Sequence, residues 1–421
     1  MSQALNNQKS LLLTFFSPTM VTLKASYMVK PTKETPTGLM NLSEFDHLIP
    51  IFHAPTVYFY QPSGELTLNS VIHTLKDSLS KALVIFYPLA GRLQRIARGR
   101  LQINCNSMGA QFLEAESEAK IDDFGDFCPS SKTRALIPSV DYDRPIHELP
   151  LLLVQVTKFS CGGFSLGLGI SHALADGECA AHFISEWARI ARGEKPENLP
   201  FLDRTILQLE DPLPKTSFDH SDFKPPPLLI GHSNNTDERN KKTVVAMLKL
   251  SKEQINQLKN KANEYRNSAT STNRAFTTYE SVTAHMWRCA CKARQHESEQ
   301  LTNFRAVVNF RSRLQPPLPE GYFGCTALPV VATTTSGDIV SKPLSYTAEK
   351  LREVINKVTD ECISFLWESK YKHIDWTRLP LYGVDFGWGK EIYMAPGIIG
   401  HDGKAFILPG RDEDGSFLIP L

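Results

Sequence analysis

The chain has 421 residues, and its 46 lysines and arginines nearly balance its 45 aspartates and glutamates, for a formal net charge of +1 at pH 7. This balance argues against a nucleic-acid-binding protein, which usually carries a strongly basic face. Hydrophobic residues make up 42% of the chain and charged residues 22%, a composition that supports buried cores and excludes a disordered chain.

The first half of the chain carries alternating strand and helix patterns. Apolar and polar residues alternate from 21 to 29, which predicts a strand. Apolar residues from 71 to 83 recur on one face of a predicted helix. The segments 149–159 and 164–170 flank a Cys-Gly-Gly turn and predict a hairpin of buried strands. A further helix follows the hairpin and is expected to stop at Gly193.

The second half shows the same mixture. A strand is expected from 244 to 250, followed by a helix that begins at a capping box formed by Ser251 and Gln254. Another helix is expected near 279–292. Because strands and helices mix in both halves, the residue patterns predict an α/β fold.

A long segment without periodicity divides the chain. Between 211 and 242 prolines mix with Asp, Ser and Asn, which is typical of a linker or a functional loop. We therefore expect an N-terminal domain at 20–210 and a C-terminal domain at 243–421, joined by this crossover. Residues 1–19 form an atypical N-terminal extension, and the true start is either Met1 or Met20.

The cysteine pattern and the length of the apolar runs indicate in which cellular compartment the protein is expected. The eight cysteines include no C-x-x-C pair, so we expect reduced thiols and no metal site. No apolar run approaches the roughly 18 residues needed to span a bilayer. These observations predict a cytoplasmic protein without a membrane or nucleic-acid partner.

The strongest local signal is Ser171-His172-Ala173-Leu174-Ala175-Asp176-Gly177. His172 lies between a predicted strand and a predicted helix, a loop position where reactive side chains are commonly presented. A neutral imidazole can accept a proton at cytosolic pH, and Asp176 is close enough to pair with it if the loop curls. The alternative is that His172, one of twelve histidines, is a surface or core residue without a chemical role.

The second signal is Asp385-Phe386-Gly387-Trp388-Gly389. Two glycines on either side of Trp388 predict tight backbone geometry around a large ring. The plainer interpretation is a structural turn with a buried aromatic anchor. The sequence contains neither a nucleotide phosphate loop nor a G-x-S-x-G elbow.

In this order, the two motifs resemble HxxxD and DFGWG of the plant BAHD acyltransferases. Other segments look like family segments: Tyr27–Pro31, His53–Tyr60, Phe86–Leu93, Trp287–Arg294 and Gly321–Gly324. Finer features are most similar to the spermidine hydroxycinnamoyl transferase branch: Ser185–Glu194, Phe218–Ser221, Leu381–Val384 and Gly389–Met394.

The resemblance implies two chloramphenicol-acetyltransferase-like mixed-sheet domains of similar size with a substrate channel between them. It implies a monomer that uses acyl-CoA as cosubstrate, has no permanently bound cofactor, and takes hydroxycinnamoyl-CoA and a polyamine as substrates. His172 would be the general base for direct attack on the thioester. Trp388 would donate its indole N–H to the oxyanion or line the channel, and Asp385 would support catalysis by holding the channel.

The remaining site residues follow from the same resemblance. Asp176, Gly177, Gly387 and Gly389 would shape the two motifs, and Thr56 and Tyr58 match positions that face the acceptor.

Departures from the family pattern leave other functions open. Between Cys362 and Trp376 the chain lacks the arginine with which shikimate and quinate acyltransferases grip the acceptor carboxylate, and Arg378 does not replace it. Cys325 stands where the family prefers Asn, and the chain stops at Leu421, where relatives continue. The first expectation is spermidine N-acylation. The alternatives are O-acylation of shikimate, quinate or another alcohol, and a truncated, non-catalytic family member.

Overall fold

The computed structural model describes residues 21–62, 67–207, 244–265, 274–360, 363, 381–397, 399, 404–411 and 414–421. The predicted extension at 1–19 and the predicted crossover at 211–242 lie outside these residues.

The described residues form strands in both halves of the chain. In chain order they are β1 (Thr22–Val29), β2 (Gly38–Asn41), β3 (His53–Tyr60), β4 (Arg92–Arg95), β5 (Leu101–Cys105), β6 (Ala110–Ser117), β7 (Leu152–Phe159), β8 (Phe164–Ser171), β9 (Met247–Leu250), β10 (Leu301–Asn309), β11 (Ala327–Thr335), β12 (Tyr393–Pro396), β13 (Leu408–Pro409) and β14 (Phe417–Pro420).

The helices of the same residues include short and long segments. They are α1 (Glu44–His47), α2 (Leu68–Ile85), α3 (Ser131–Ala135), α4 (Gly177–Ala191), α5 (Lys252–Glu264), α6 (Thr278–Ala293), α7 (Ser336–Ser341) and α8 (Leu344–Asn356). Within the described ranges, no helix is both long enough and apolar enough to cross a membrane.

A six-stranded sheet organises the first half of the chain, with the spatial order β1-β6-β7-β8-β3-β12. β6 and β7 pair in parallel, and the other neighbouring strands are antiparallel. β12 comes from the second half of the chain and pairs with β3. The two halves therefore share one sheet.

Helices α2 and α4 bury their apolar faces in the same large core as this sheet. The residues of α2 that the sequence places on one face, among them Leu75 and Leu79, are buried. Trp187 of α4 is fully buried, and its indole N–H donates to Ser78 Oγ at 2.9 Å. The predicted strand at 21–29, the hairpin and both helices are confirmed.

The second half contains a β10–β11 pair and a small sheet in the order β13-β14-β9. The capping box of α5 is present, since Ser251 and Gln254 exchange side-chain and backbone hydrogen bonds. Helix α6 covers the predicted helix at 279–292. These elements confirm the mixed α/β character that the sequence predicts for this half.

The β7–β8 hairpin and β3 position the candidate site. β8 pairs with β3 in a register that sets Ser171 opposite His53 and Phe164 opposite Tyr60. The chain therefore leaves the sheet at Ser171, and the next residue is His172.

Candidate active site

His172 begins the loop that connects β8 to α4, and it is only 5% exposed. Its backbone N–H donates to the Phe52 carbonyl at 2.8 Å, and its ring centroid lies 4.9 Å from that of Phe52. Its own carbonyl accepts a hydrogen bond from the Cys325 thiol at 3.0 Å. The imidazole is thus presented from a rigid strand end into a site with little access to water.

Asp176 ends the same loop and caps α4. Its Oδ1 accepts the Cys179 backbone N–H at 3.1 Å, the usual role of an N-cap aspartate. Its main partner is Arg311, which donates to both carboxylate oxygens at 2.9 and 3.0 Å. The backbone N–H and hydroxyl of Thr326 donate to Oδ2 at 3.1 and 3.2 Å. The structure therefore corrects the suggested pairing of Asp176 with His172, because the second half of the chain occupies this carboxylate.

The Asp176–Arg311 pair is buried, with side-chain exposures of 5% and 12%. Burial alone would raise the pKa of Asp176, but the charge and hydrogen bonds of Arg311 outweigh it and lower that pKa to about 2. The carboxylate is consequently ionised at all physiological pH values. Gly177 follows it directly as the first residue of α4, and its part in shaping the motif stays a prediction.

The Asp385–Gly389 motif forms a closed turn. Asp385 Oδ1 accepts the backbone N–H groups of Gly387 and Gly389 at 2.7 and 3.0 Å. Both glycines have positive φ angles, 106° and 102°, which side chains disfavour. The tight backbone geometry predicted for this motif is confirmed. Arg192, just after α4, also donates to the Asp385 carbonyl.

This turn does not lie beside His172. The Trp388 ring packs against Phe164 and Tyr60, with centroid distances of 5.8 and 6.4 Å. These two residues pair at the end of β8 and β3 opposite to Ser171. A strand rises about 3.3 Å per residue, so Phe164 and Ser171 are separated by roughly 23 Å.

One predicted role is corrected by this placement, because Trp388 does not reach an oxyanion formed next to His172. The Asp385 carboxylate accepts hydrogen bonds within its own turn, and the channel roles of Asp385 and Trp388 stay predictions. The structure instead supports the plainer interpretation of a structural turn with an aromatic anchor, since Trp388 stacks on Phe386 at 5.6 Å and Phe386 packs edge-on against Trp187 at 5.0 Å.

The two residues predicted to face the acceptor lie on β3 between these ends. Thr56 is half-buried and pairs with Leu168 of β8. Tyr58 is 2% exposed and belongs to the hydrophobic core. Thr56 is closer along β3 to the end that holds His172, and the acceptor role of both residues stays a prediction.

Comparisons with known proteins identify the family. A model described as "Transferase family" matches residues 19–420. The chain is 42% identical over 437 residues to hydroxycinnamoyl-CoA:piscidic acid hydroxycinnamoyltransferase of Actaea racemosa, covering 96% of each chain. It is 40% identical to shikimate O-hydroxycinnamoyltransferase of Nicotiana tabacum, covering 94% of each.

The chain belongs to the BAHD acyltransferase family. It is a CoA-dependent acyltransferase, with acyl-CoA as its cosubstrate. A further relative, 34% identical and covering 95% of this chain and 96% of its own length, is hydroxycinnamoyl-CoA:5-hydroxyanthranilate N-hydroxycinnamoyltransferase HHT4 of Avena sativa. The crystal structure of vinorine synthase superposes with a TM-score of 0.71 at 24% identity, covering 95% of this chain and 94% of that one. The predicted fold class is confirmed.

In this acyltransferase, the sequence did not reveal the partners of the HxxxD loop. Arg311 and Thr326 bind Asp176, and a second buried ion pair joins Asp46 to Arg204 at 2.6 Å. Arg204 also donates to the Leu174 carbonyl at 2.8 Å. The spacing Ser43-x-x-Asp46 is a readable capping signal, but nothing in it points to Arg204.

The described parts of the chain hold no group of three His, Cys, Asp or Glu side chains that could bind a metal ion. The seven cysteines among them are free thiols.

Proposed function

We propose that this enzyme transfers a hydroxycinnamoyl group from its CoA thioester to a small acceptor by direct attack, with His172 as the general base. The observation that carries the proposal is the placement of His172. It is nearly buried and is fixed at a strand end by hydrogen bonds to both its N–H and its carbonyl.

The chemistry requires little more than a positioned base. A thioester is already activated, so the acceptor can attack its carbonyl carbon without a covalent enzyme intermediate. His172 takes the proton from the attacking nitrogen or oxygen, and the C–S bond then breaks as the tetrahedral intermediate collapses. The imidazolium returns its proton to the departing CoA sulfur. General-base catalysis of this kind typically contributes about 10²–10⁴ in rate.

The low exposure of His172 serves the same reaction. Water that reached the base would compete with the acceptor and hydrolyse the thioester. Excluding water prevents this side reaction. In the proposed architecture, domains at 20–210 and 243–421 enclose a channel that brings CoA and the acceptor to His172 from opposite sides, with Thr56 on the acceptor side.

For the acceptor we propose the amines of spermidine. The support comes from the sequence segments that resemble the spermidine hydroxycinnamoyl transferase branch and from the lack of an arginine between residues 363 and 376 of the sequence. An alkyl amine has a pKa of about 10, so most of it is protonated at pH 7 and a base is needed to release the nucleophile.

A second candidate is O-acylation of a hydroxy acid such as shikimate or quinate. The names of two relatives favour it, because piscidic acid and shikimate are hydroxy acids. An N-acylating relative, which acts on 5-hydroxyanthranilate, shows that both kinds of nucleophile occur among proteins similar to this one.

A product analysis separates these candidates. The purified full chain is incubated with caffeoyl-CoA or feruloyl-CoA and either spermidine, shikimate or quinate, and products are identified by mass spectrometry. Spermidine amides that disappear in His172→Ala support the proposal. Esters in place of amides would overturn the acceptor and keep the base. No product from a folded sample with any acceptor would favour the non-catalytic alternative.

A further inference from the structure

Asp46 is a buried carboxylate that anchors two donors of the His172 loop. It is 0% exposed, and its Oδ2 accepts the Ser43 backbone N–H and hydroxyl, both at 2.8 Å. The same oxygen accepts Arg204 Nη1 at 2.6 Å. Its Oδ1 accepts the backbone N–H of Cys325 at 2.8 Å. One carboxylate thus fixes one residue just before the predicted crossover and one residue of the second half.

The two anchored residues bind two carbonyls of the catalytic loop. The thiol of Cys325 donates to the His172 carbonyl at 3.0 Å, and Arg204 Nη2 donates to the Leu174 carbonyl at 2.8 Å. Both donors are buried, with exposures of 1% for Cys325 and 2% for Arg204. Burial raises the pKa of the Cys325 thiol well above its ordinary value, so the sulfur keeps the proton that it donates.

The two ion pairs divide the loop between them. Arg311 and Thr326 hold the last residue of the loop, Asp176. Cys325 and Arg204, both bound to Asp46, hold the carbonyls of His172 and Leu174 earlier in the loop. A peptide carbonyl fixed at residue 172 limits the backbone rotation that would swing the imidazole. This matters because a displacement of about 1 Å at a reacting group can cost about 100-fold in rate.

We propose that Asp46, Arg204 and Cys325 are positioning residues that orient His172 through the carbonyls of His172 and Leu174. The inference rests on the proposed role of His172 as the base. A buried ion pair is by itself weak support for stability, so its expected effect is on the position of the loop and therefore on kcat.

The test compares variants of Cys325, the residue whose side chain touches His172. Cys325→Ala removes the thiol donor and is expected to lower kcat roughly tenfold. This loss is smaller than the factor of about 100 expected when a reacting group is displaced by about 1 Å. The KM for acyl-CoA should stay within twofold. Cys325→Ser keeps a donor and should recover kcat to within about threefold of the wild type. Cys291→Ala is the matched control, since Cys291 is also buried and its thiol faces Thr302 instead.

A double variant separates positioning from general destabilisation. If Cys325 acts through His172, adding Cys325→Ala to His172→Ala should leave the residual rate unchanged, because interacting residues are non-additive. An equal loss of rate in both backgrounds would overturn the inference, as would a Cys325→Ala kcat equal to that of Cys291→Ala. If His172→Ala itself keeps the wild-type kcat, the proposed function fails instead.

Arg204→Lys provides an independent measurement. Lysine keeps the charge beside Asp46 but lacks the planar fork that binds Asp46 and the Leu174 carbonyl together. We expect at least a tenfold loss of kcat, with Arg352→Lys at the buried Glu280 pair as control. Equal kcat values for the two lysine variants would contradict the role of Arg204. If Arg204→Lys does not fold, the Cys325 comparison decides the inference.

Discussion

Replacement of Arg311 by methionine tests whether the Asp176–Arg311 pair holds the catalytic loop. Methionine fills much of the same space and removes the charge. The variant leaves Asp176, 4% exposed, without its ionic partner. The carbonyl of Gly324, which accepts Arg311 Nη2 at 2.9 Å, loses that donor and keeps the Cys179 thiol at 3.4 Å. We therefore expect lower stability and a lower kcat together.

The magnitude follows from the pKa of Asp176. Its value falls from 3.8 to about 2, which corresponds to about 2 kcal/mol of net stabilisation of the ionised form. Because that figure already includes the cost of burial, removing Arg311 costs more. A buried charge left without its partner is typically worth about 3–5 kcal/mol, and we expect a loss in this range at pH 7.

The pH dependence has a defined sign. In the wild type the carboxylate of Asp176 has a lowered pKa, so its contribution is complete above about pH 4 and is lost as the pH falls towards 2. In Arg311→Met, burial is no longer opposed by this guanidinium and raises the pKa of Asp176. Its protonation then relieves the buried charge, and the stability difference from the wild type should shrink between pH 7 and pH 4.

Urea unfolding at both pH values measures this difference, and steady-state acyl transfer measures kcat. Arg352→Met is the control, because Arg352 forms a buried ion pair with Glu280 between α6 and α8, with side-chain exposures of 2% and 3%. It should lose comparable stability with unchanged kcat. Two results would show that the Asp176–Arg311 pair does not hold the loop. One is a loss of unfolding free energy below about 1 kcal/mol in Arg311→Met, which is the scale of exposed ion pairs. The other is a loss of kcat in Arg352→Met equal to that in Arg311→Met.

Three further predictions concern the other motif and the strand beside His172. Asp385→Asn keeps an oxygen acceptor for Gly387 and Gly389 and should retain kcat within about threefold, whereas Asp385→Ala should lose about 1–2 kcal/mol of unfolding free energy; a 100-fold drop of kcat in Asp385→Asn would restore a catalytic role. Gly387→Ala should lower the free energy of unfolding by about 1–3 kcal/mol, because alanine is strained at a φ of 106°. A steric clash is not the cause, since the added Cβ would lie 3.6 Å from Arg192 Cγ. An unchanged Tm in calorimetry would contradict this prediction. Burial lowers the pKa of His53 from 6.5 to about 4, although its hydrogen bond to the Pro150 carbonyl acts to raise that pKa. The unfolded chain therefore takes up the proton first, and stability should fall as the pH drops from 6.5 to 4. His53→Asn should flatten that slope in urea titrations, and an unaltered slope would contradict it.

Local periodicity was sufficient to predict much of the N-terminal half. The helical face that includes Leu75 and Leu79 reports burial directly, and the β7–β8 hairpin is set by a short turn between two apolar segments. The alternation at 21–29 predicts the strand but not burial, since Leu23 and Tyr27 are 56% and 42% exposed. The position of His172 at a strand end followed from the same patterns.

Long-range partners carried no such signal. Arg311 lies 135 residues from Asp176 and Arg204 lies 158 residues from Asp46, and neither arginine falls in a periodic pattern that would identify its partner. The oxyanion role predicted for Trp388 was wrong for a related reason. Motif order along the chain does not give distance in the fold, and the β3–β8 register separates the two motifs by the length of a strand.

A single-turnover measurement of acyl transfer by the wild type and His172→Ala tests the role of His172 as the base. Caffeoyl-CoA is used with whichever acceptor gives product, across pH 5.5 to 9. We expect a loss of about 10²–10⁴ in the rate of transfer at pH 7. In the wild type the rate should rise with pH as His172 loses its proton. In His172→Ala this rise should be absent. A His172→Ala rate within threefold of the wild type, with the same pH profile and an intact fold, would contradict general-base catalysis by His172.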